Sequence, residues 1–274
     1  DNLSSVKNVI LVLSGKGGVG KSTLSVQIAL GLVHAGKTVG ILDTDVCGPS
    51  IPKMLNLENA SIYQCDQGWV PVFATDDKKL CAMSIAFMLG SKDEPVIWRG
   101  PKKTAMIKQF LTDVHWGEMD YLIIDTPPGT SDEHLSVVQN LKGRVTGAIL
   151  VTTPQVIISC KFPIYPVITA FQAVAVSDVR RELTFCWKTS IPVLGVVENM
   201  SGYVCPHCSE CSLIFSQGGG EELAKQENLR FLARIPLDPN LANCCETGRN
   251  LIDVFPDSAT LKPMMELVNK LLNL

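Results

Sequence analysis

Gly15-Lys16-Gly17-Gly18-Val19-Gly20-Lys21-Ser22-Thr23 gathers glycines, lysines and hydroxyls into one short stretch, directly after the apolar run Val9–Ser14. It satisfies GxxxxGK[ST] in the context that motif requires, a strand before it and a helix after it. Glycines let backbone N–H groups turn inward around phosphate oxygens, and a helix N-terminus adds positive potential. Lys21 is expected to reach the β- and γ-phosphates of ATP, and the Ser22 hydroxyl to ligate Mg2+. A merely glycine-rich turn leaves the Lys21-Ser22 pair unexplained.

Acidic strand ends extend this site. Ile41-Leu42-Asp43-Thr44-Asp45 closes one apolar run and Leu122-Ile123-Ile124-Asp125-Thr126-Pro127-Pro128-Gly129 closes another. In open α/β sheets ligands bind outside the carboxyl ends of the strands. Asp125 is therefore expected in the magnesium shell, and Asp45 is expected to orient or activate the attacking water. Asp43 either joins them or serves as a helix cap or loop hydrogen-bond acceptor.

Thiols form a second cluster, Cys205-Pro206-His207-Cys208-Ser209-Glu210-Cys211. Two thiolates at this spacing can hold one metal centre from a single turn. Zinc and a cubane iron–sulfur cluster both take four ligands, and thiolate spacing suits either. This chain clusters three thiols with His207, so a complete site needs Cys244 or Cys245, or a second subunit. The role of Cys211 stays open, as does an incidental Cys-rich loop or a redox pair. Cys47, Cys65, Cys81, Cys160 and Cys186 are expected to be small buried hydrophobes.

The elements that must position these residues alternate. Val9–Ser14, Thr38–Asp43, Tyr121–Asp125, Ala148–Thr152 and Pro192–Glu198 read as strands, nearly continuous apolar runs covered on both faces. Lys21–Ala35, Lys102–Asp113, Asp132–Asn140 and Asp178–Trp187 read as helices, with Gly36 placed as a left-handed cap. This alternation predicts an α/β fold, a doubly wound and mainly parallel sheet in a single domain over residues 1–274. Residues 202–220 read as a Cys-rich loop insertion. Ser258–Leu274 reads as an amphipathic helix packed on the sheet rather than on a membrane. From Val145 to Val176 the charge is sparse, but Pro154, Pro163 and Pro166 argue against a spanning helix.

The chain of 274 residues is 46% apolar, ample for a buried core, and its formal net charge of −3 argues against a wide basic surface for nucleic acid. Its ten cysteines would fit a disulfide scaffold only in a smaller, secreted chain, and Asp1-Asn2-Leu3-Ser4 shows no apolar targeting run. A reducing, cytoplasmic setting is expected, with nuclear access open, and neither nucleic acid nor membrane as a partner.

Lys16 adds a resemblance. GKGGVGKST is similar to the deviant Walker A of dimeric P-loop ATPases such as the nitrogenase iron protein and the partition, cell-division and targeting ATPases. There the first lysine reaches the phosphates of the partner subunit; carried to Lys16, this implies a face-to-face dimer. Asn199 resembles the position that reads adenine in that group, or is a strand-end turn residue.

The resemblance narrows further on Cys47-Gly48-Pro49-Ser50-Ile51-Pro52, Trp98-Arg99-Gly100-Pro101-Lys102-Lys103, Asp125–Glu133, the cysteine loop with Ile214–Gly220, and Ile235-Pro236-Leu237-Asp238-Pro239. Together these motifs resemble the Mrp-type ATPases of cytosolic iron–sulfur cluster assembly, over nearly the whole chain. That resemblance implies slow ATP hydrolysis using Lys16, Lys21 and Asp45, with Pro236 also at the nucleotide. It implies a 4Fe-4S cluster bridging Cys205 and Cys208 of two subunits, in a homodimer or in a heterotetramer with the family's longer scaffold subunit. Transfer of the cluster to cytosolic and nuclear apoproteins follows. The longer subunit carries four extra cysteines before its P-loop; none precedes Val9, so the expected match is the shorter subunit.

In the family, Thr152–Gln155 leads almost directly to the segment seen here as Ala173–Arg181, so Val156–Gln172 is read as an atypical insert. The rival reading is a zinc-clasped dimeric targeting or chaperone ATPase. It would carry a methionine-rich client groove, and the methionines here are dispersed. A partition ATPase leaves the CPHC loop without a job, and the CxxC position differs from that of an electron-transfer iron protein.

Overall fold

The structure, a computed structural model, describes residues 2–89, 98–141, 143–154, 169–204, 211–212 and 218–274, the backbone alone at 169–177 and 211–212. Chain order is β1 (Val6–Leu13), α1 (Lys21–His34), β2 (Val39–Asp43), α2 (Ile51–Met54), β3 (Tyr63–Cys65), β4 (Gly68–Val70), β5 (Val72–Phe73) and β6 (Leu80–Met83). Then follow α3 (Gly100–Thr112), β7 (Met119–Asp125), α4 (Asp132–Leu141), β8 (Val145–Thr152), α5 (Thr169–Lys188) and β9 (Val193–Glu198). The chain ends with β10 (Tyr203–Val204), β11 (Cys211–Ser212), α6 (Gly219–Gln226), β12 (Phe231–Arg234), α7 (Pro239–Thr247), α8 (Leu251–Val254) and α9 (Leu261–Leu272).

An eight-stranded sheet runs in the order β12-β9-β8-β1-β7-β2-β6-β5. Every pairing in it is parallel except that of the edge strand β5 with β6. Alternation along β1 explains its two-sided burial. Val9, Leu11 and Leu13 pack into the layer of α3, α4 and α5, while Ile10 and Val12 pack into the layer of α1 and α9. Along β7, Leu122 and Ile124 face the first layer and Tyr121 and Ile123 the second. This is the doubly wound, mainly parallel architecture expected.

Short buried strands were beyond reach of the apolar pattern: β6 and β12 have four residues each. Helix α5 begins at Thr169, nine residues before the predicted Asp178, so the last part of the supposed insert, 169–172, is helical. No Pro or Gly interrupts 169–188 to stop the helix from extending that far back. Residues 155–168, which hold most of that insert, lie outside the described residues. The Cys-rich stretch is not simply a loop: β10 and β11 pair antiparallel, Val204 opposite Cys211. Among the described residues no helix is long and apolar enough to cross a membrane.

Candidate functional site

Register brings the predicted acids together. β7 lies between β1 and β2, with Asp125 opposite Val12 on one side and Asp43 on the other. The chain leaving β1 must turn sharply at the same edge to start α1. Gly18 and Gly20 make that turn with φ of 77° and 79°, values that L side chains avoid. At Gly20 a Cβ would also stand 2.3 Å from Asn199 Nδ2. The result is a cavity of about 230 Å3 lined by Lys16, Gly17, Gly18, Val19, Gly20, Lys21, Ser22, Thr23 and Asp45. Gly15 lies at its root, where a Cβ would collide with Asp178 at 2.6 Å.

The side chains converge on Asp125, which is fully buried. Lys21 Nζ is 2.8 Å from its Oδ1. Ser22 Oγ donates to Oδ2 at 2.6 Å, and Ser25 Oγ, one turn on, donates to Oδ1 at 2.7 Å. Asp43, likewise buried, accepts from the Asp45 N–H at 3.1 Å and from Ser84 Oγ at 3.1 Å. The loop-acceptor reading of Asp43 is therefore the arrangement seen. Burial, and then the neighbouring Asp125 carboxylate, push its pKa up to about 8. Asp45 is half-buried at the cavity wall and accepts from the Gly48 N–H at 3.2 Å.

Residues the motif reading passed over hold the loops in place. Thr44 and Thr126 pin the two acidic loops through Thr44 Oγ1 to the Asp125 carbonyl at 2.9 Å and Thr126 Oγ1 to the Val12 carbonyl at 2.8 Å. Lys103 of α3 joins the loop after β2 to the first turn of α4, 2.8 Å from Cys47 Sγ and 3.2 Å from Glu133 Oε1. Hydroxyls just past a strand end are the sequence signal that foreshadows the threonines; Lys103 stands in the run Trp98–Lys103 that carries the family resemblance, but the run by itself names no contact for it.

The arrangement fits a nucleotide triphosphate with Mg2+. A Cβ at Gly18 would meet nothing within 4 Å, so the P-loop backbone faces an open mouth. An oxygen-only pair, Ser22 and Asp125, stands ready for a hard cation, and Lys21 lies beside it. Asn199 spends its amide on the Val19 carbonyl at 2.8 Å, and Pro236, half-buried after β12, stands on the Asn199 side of the sheet outside the cavity lining.

The thiols divide. Cys81, Cys186 and Cys244 are buried, and burial pushes Cys81 and Cys186 up to about 12. Cys47 and Cys65, expected inside, are exposed: Cys47 lies in the bend after β2, and Cys65 ends β3, whose residues are all exposed in a two-stranded sheet apart from the main one. Cys160, Cys205 and Cys208 lie outside the described residues. Among the described residues no group of three or more metal-ligating side chains forms.

A family model described as ParA, NUBPL iron-transfer P-loop NTPase, matches residues 5–163 and 161–272. The cytosolic Fe-S cluster assembly factor nubp2 of Danio rerio is 58% identical over 274 residues, 99% of this chain and 96% of that protein. The cytosolic Fe-S cluster assembly factor NUBP2 homolog of Dictyostelium discoideum is 54% identical over 268 residues, 97% of this chain and 95% of that one. Among solved structures, the nucleotide-binding protein of Archaeoglobus fulgidus in complex with ADP superposes with a TM-score of 0.75 at 37% identity, covering 90% of this chain and 89% of that chain. The septum site-determining protein MinD of Pyrococcus horikoshii OT3, complexed with Mg-ADP, shares the fold at a TM-score of 0.65 and 18% identity, over 97% and 96% of the two chains.

Proposed function

The chain belongs to the ParA family of NUBPL-type iron-transfer P-loop NTPases, and on that premise we propose that it is an ATP-dependent scaffold for a transient 4Fe-4S cluster. The observation that carries this reading is the match, over nearly the full length of both chains, to relatives named cytosolic Fe-S cluster assembly factors. An iron–sulfur assembly role and ATPase chemistry follow from the family at that coarse level. The finer reading adds a slow turnover that drives conformational change, a cluster held by Cys205 and Cys208 of two subunits, and delivery to cytosolic and nuclear apoproteins.

In this reading Ser22 and Asp125 hold Mg2+, which neutralises phosphate charge when bound. Lys21 stabilises the charge that develops on the transferring phosphoryl group, and Lys16 does so across a dimer interface. Asp45 orients the attacking water. The partner is a second copy or the longer scaffold subunit of the family. The cluster is cargo: it is built on the chain and leaves it.

Anaerobic reconstitution with iron and sulfide tests the proposal, read by visible absorption and by the metal-to-sulfide ratio. Wild type is expected to take up about four irons per dimer, as one cubane held by four thiolates requires. Cys205→Ala and Cys208→Ala are each expected to lose them. Uptake of zinc alone, or a cluster unchanged in both variants, overturns the bridging-cluster reading and returns the zinc-clasped ATPase.

A further inference from the structure

Glu198 is the last residue of β9 and is fully buried, yet its carboxylate is the most heavily bonded in the described chain outside the nucleotide site. Oε1 accepts from Ser201 Oγ at 2.6 Å, from the Gly218 N–H at 3.2 Å and from Arg234 Nε at 3.2 Å. Oε2 accepts from the Gly220 N–H at 2.7 Å. Ser201 precedes the cysteine-bearing hairpin of β10 and β11, and Gly218 and Gly220 follow it. One carboxylate thus gathers both ends of the segment that contains Cys205 and Cys208. Gly218 and Gly220 also open α6, so the charge sits at a helix N-terminus, where it is favoured. The fit is close: a Cβ at Gly220 would stand 3.1 Å from Glu198 Cβ and 3.0 Å from Thr152 Cγ2.

The next residue faces the other way. Asn199 Nδ2 donates to the Val19 carbonyl of the P-loop at 2.8 Å, and its backbone N–H is tied to the Thr152 carbonyl at 2.8 Å. Adjacent residues on one rigid strand end therefore grip the phosphate loop and the base of the cysteine segment. Any displacement of Val19 would therefore be felt, through Asn199, at the strand end whose buried carboxylate holds Ser201, Gly218 and Gly220.

We propose that Glu198 is a positioning residue that closes the base of the cysteine segment, and that Asn199 beside it transmits the state of the P-loop to that base. This rests on the reading of Cys205 and Cys208 as the cargo ligands, but its test does not need the cluster. The metal-free full chain is alkylated with iodoacetamide, with and without ATP and Mg2+ at a concentration that saturates each variant. Rates at Cys205 and Cys208 are read by peptide mass spectrometry.

In wild type, ATP is expected to change both rates by about fivefold, the low end of coupling between two sites. In Asn199→Ala that change disappears although ATP is bound. In Glu198→Gln both rates rise and no longer depend on ATP, with Ser201→Ala intermediate as the milder variant if Glu198→Gln fails to fold. Wild-type rates indifferent to bound ATP, or an ATP effect that survives in Asn199→Ala and in the folded Glu198 or Ser201 variant, overturn the relay. Failure of the cluster reading shows separately, as loss of iron uptake in reconstitution while the alkylation pattern stands.

Discussion

Lys21 Nζ and Asp125 Oδ1 stand 2.8 Å apart, with the lysine side chain 7% exposed and the aspartate fully buried. The ammonium of the P-loop and the carboxylate at the end of β7 satisfy each other, and Ser22 and Ser25 complete the shell. In a buried pair, removing one member leaves an uncompensated charge, which costs about 3–5 kcal/mol. Lys21→Met is therefore expected to lose about that much stability in urea denaturation, besides losing ATP binding in calorimetry. Adding Asp125→Asn removes the stranded charge, so the double variant is expected to be more stable than Lys21→Met alone. A double variant that is less stable than the single shows that the pair is not what Asp125 depends on.

His134, in the first turn of α4, is 1% exposed. Its Nδ1 accepts from the Ser131 N–H at 3.2 Å, while Nε2 has no hydrogen-bond partner. Burial holds its pKa down at about 4, against an ordinary value of 6.5. For a base depressed in the folded state, the stability it confers is whole above the unfolded value and drains as pH falls toward the folded one. The difference amounts to about 3 kcal/mol between pH 6.5 and 4. His134→Gln is expected to cost clearly more stability at pH 7 than at pH 4.5. An equal cost at both pH values, read from denaturation midpoints, would show that the ring does not titrate in this window.

Glu182 of α5 presents the opposite sign. It is 1% exposed, and neither carboxyl oxygen has a hydrogen-bond partner. Burial, and then the Asp178 carboxylate, push its pKa up to about 7 from 4.5. A raised carboxyl contributes stability that is whole below the unfolded value and is lost as pH rises through the folded one. Glu182→Gln cannot ionise and escapes that loss. The variant is expected to exceed wild type by about 1–3 kcal/mol at pH 8.5 and to show no such advantage at pH 4.5. Thermal melts across that range decide it; a wild type that stays the more stable at pH 8.5 contradicts the prediction.

Deletion of Val156–Gln172 joins Gln155 to Ala173, inside α5, and restores the spacing expected for the family. The two matched stretches of the family model meet within this segment, at residues 161–163. The shortened chain is expected to give a higher soluble yield and to bind ATP as tightly as the full one. Weaker ATP binding by the deletion variant counts against the insert reading.

Local rules in the sequence sufficed for the phosphate site and for the strands around it. GxxxxGK[ST] after an apolar run carries its own geometry, because glycine dihedrals and a helix N-terminus are properties of neighbouring residues. The apolar runs ending in Asp43 and Asp125 were legible for the same reason: a strand buried on both faces has no polar positions to spare. Strands of four residues such as β6 and β12 left too short a pattern to read, and α5 ran back beyond its predicted start.

Contacts between distant segments followed a different logic. Nothing local places Asp125 opposite both Val12 and Asp43; that is a matter of strand order, set by how the layers of α1 with α9 and α3 with α5 cover the sheet. The same holds for Glu198, whose partners lie from 3 to 36 residues away along the chain. Cys47 and Cys65 turned out exposed because a thiol's burial depends on which surface its segment meets, and composition is silent on that. Residue chemistry named the parts of the site, while side-chain packing across the sheet decided which of them touch.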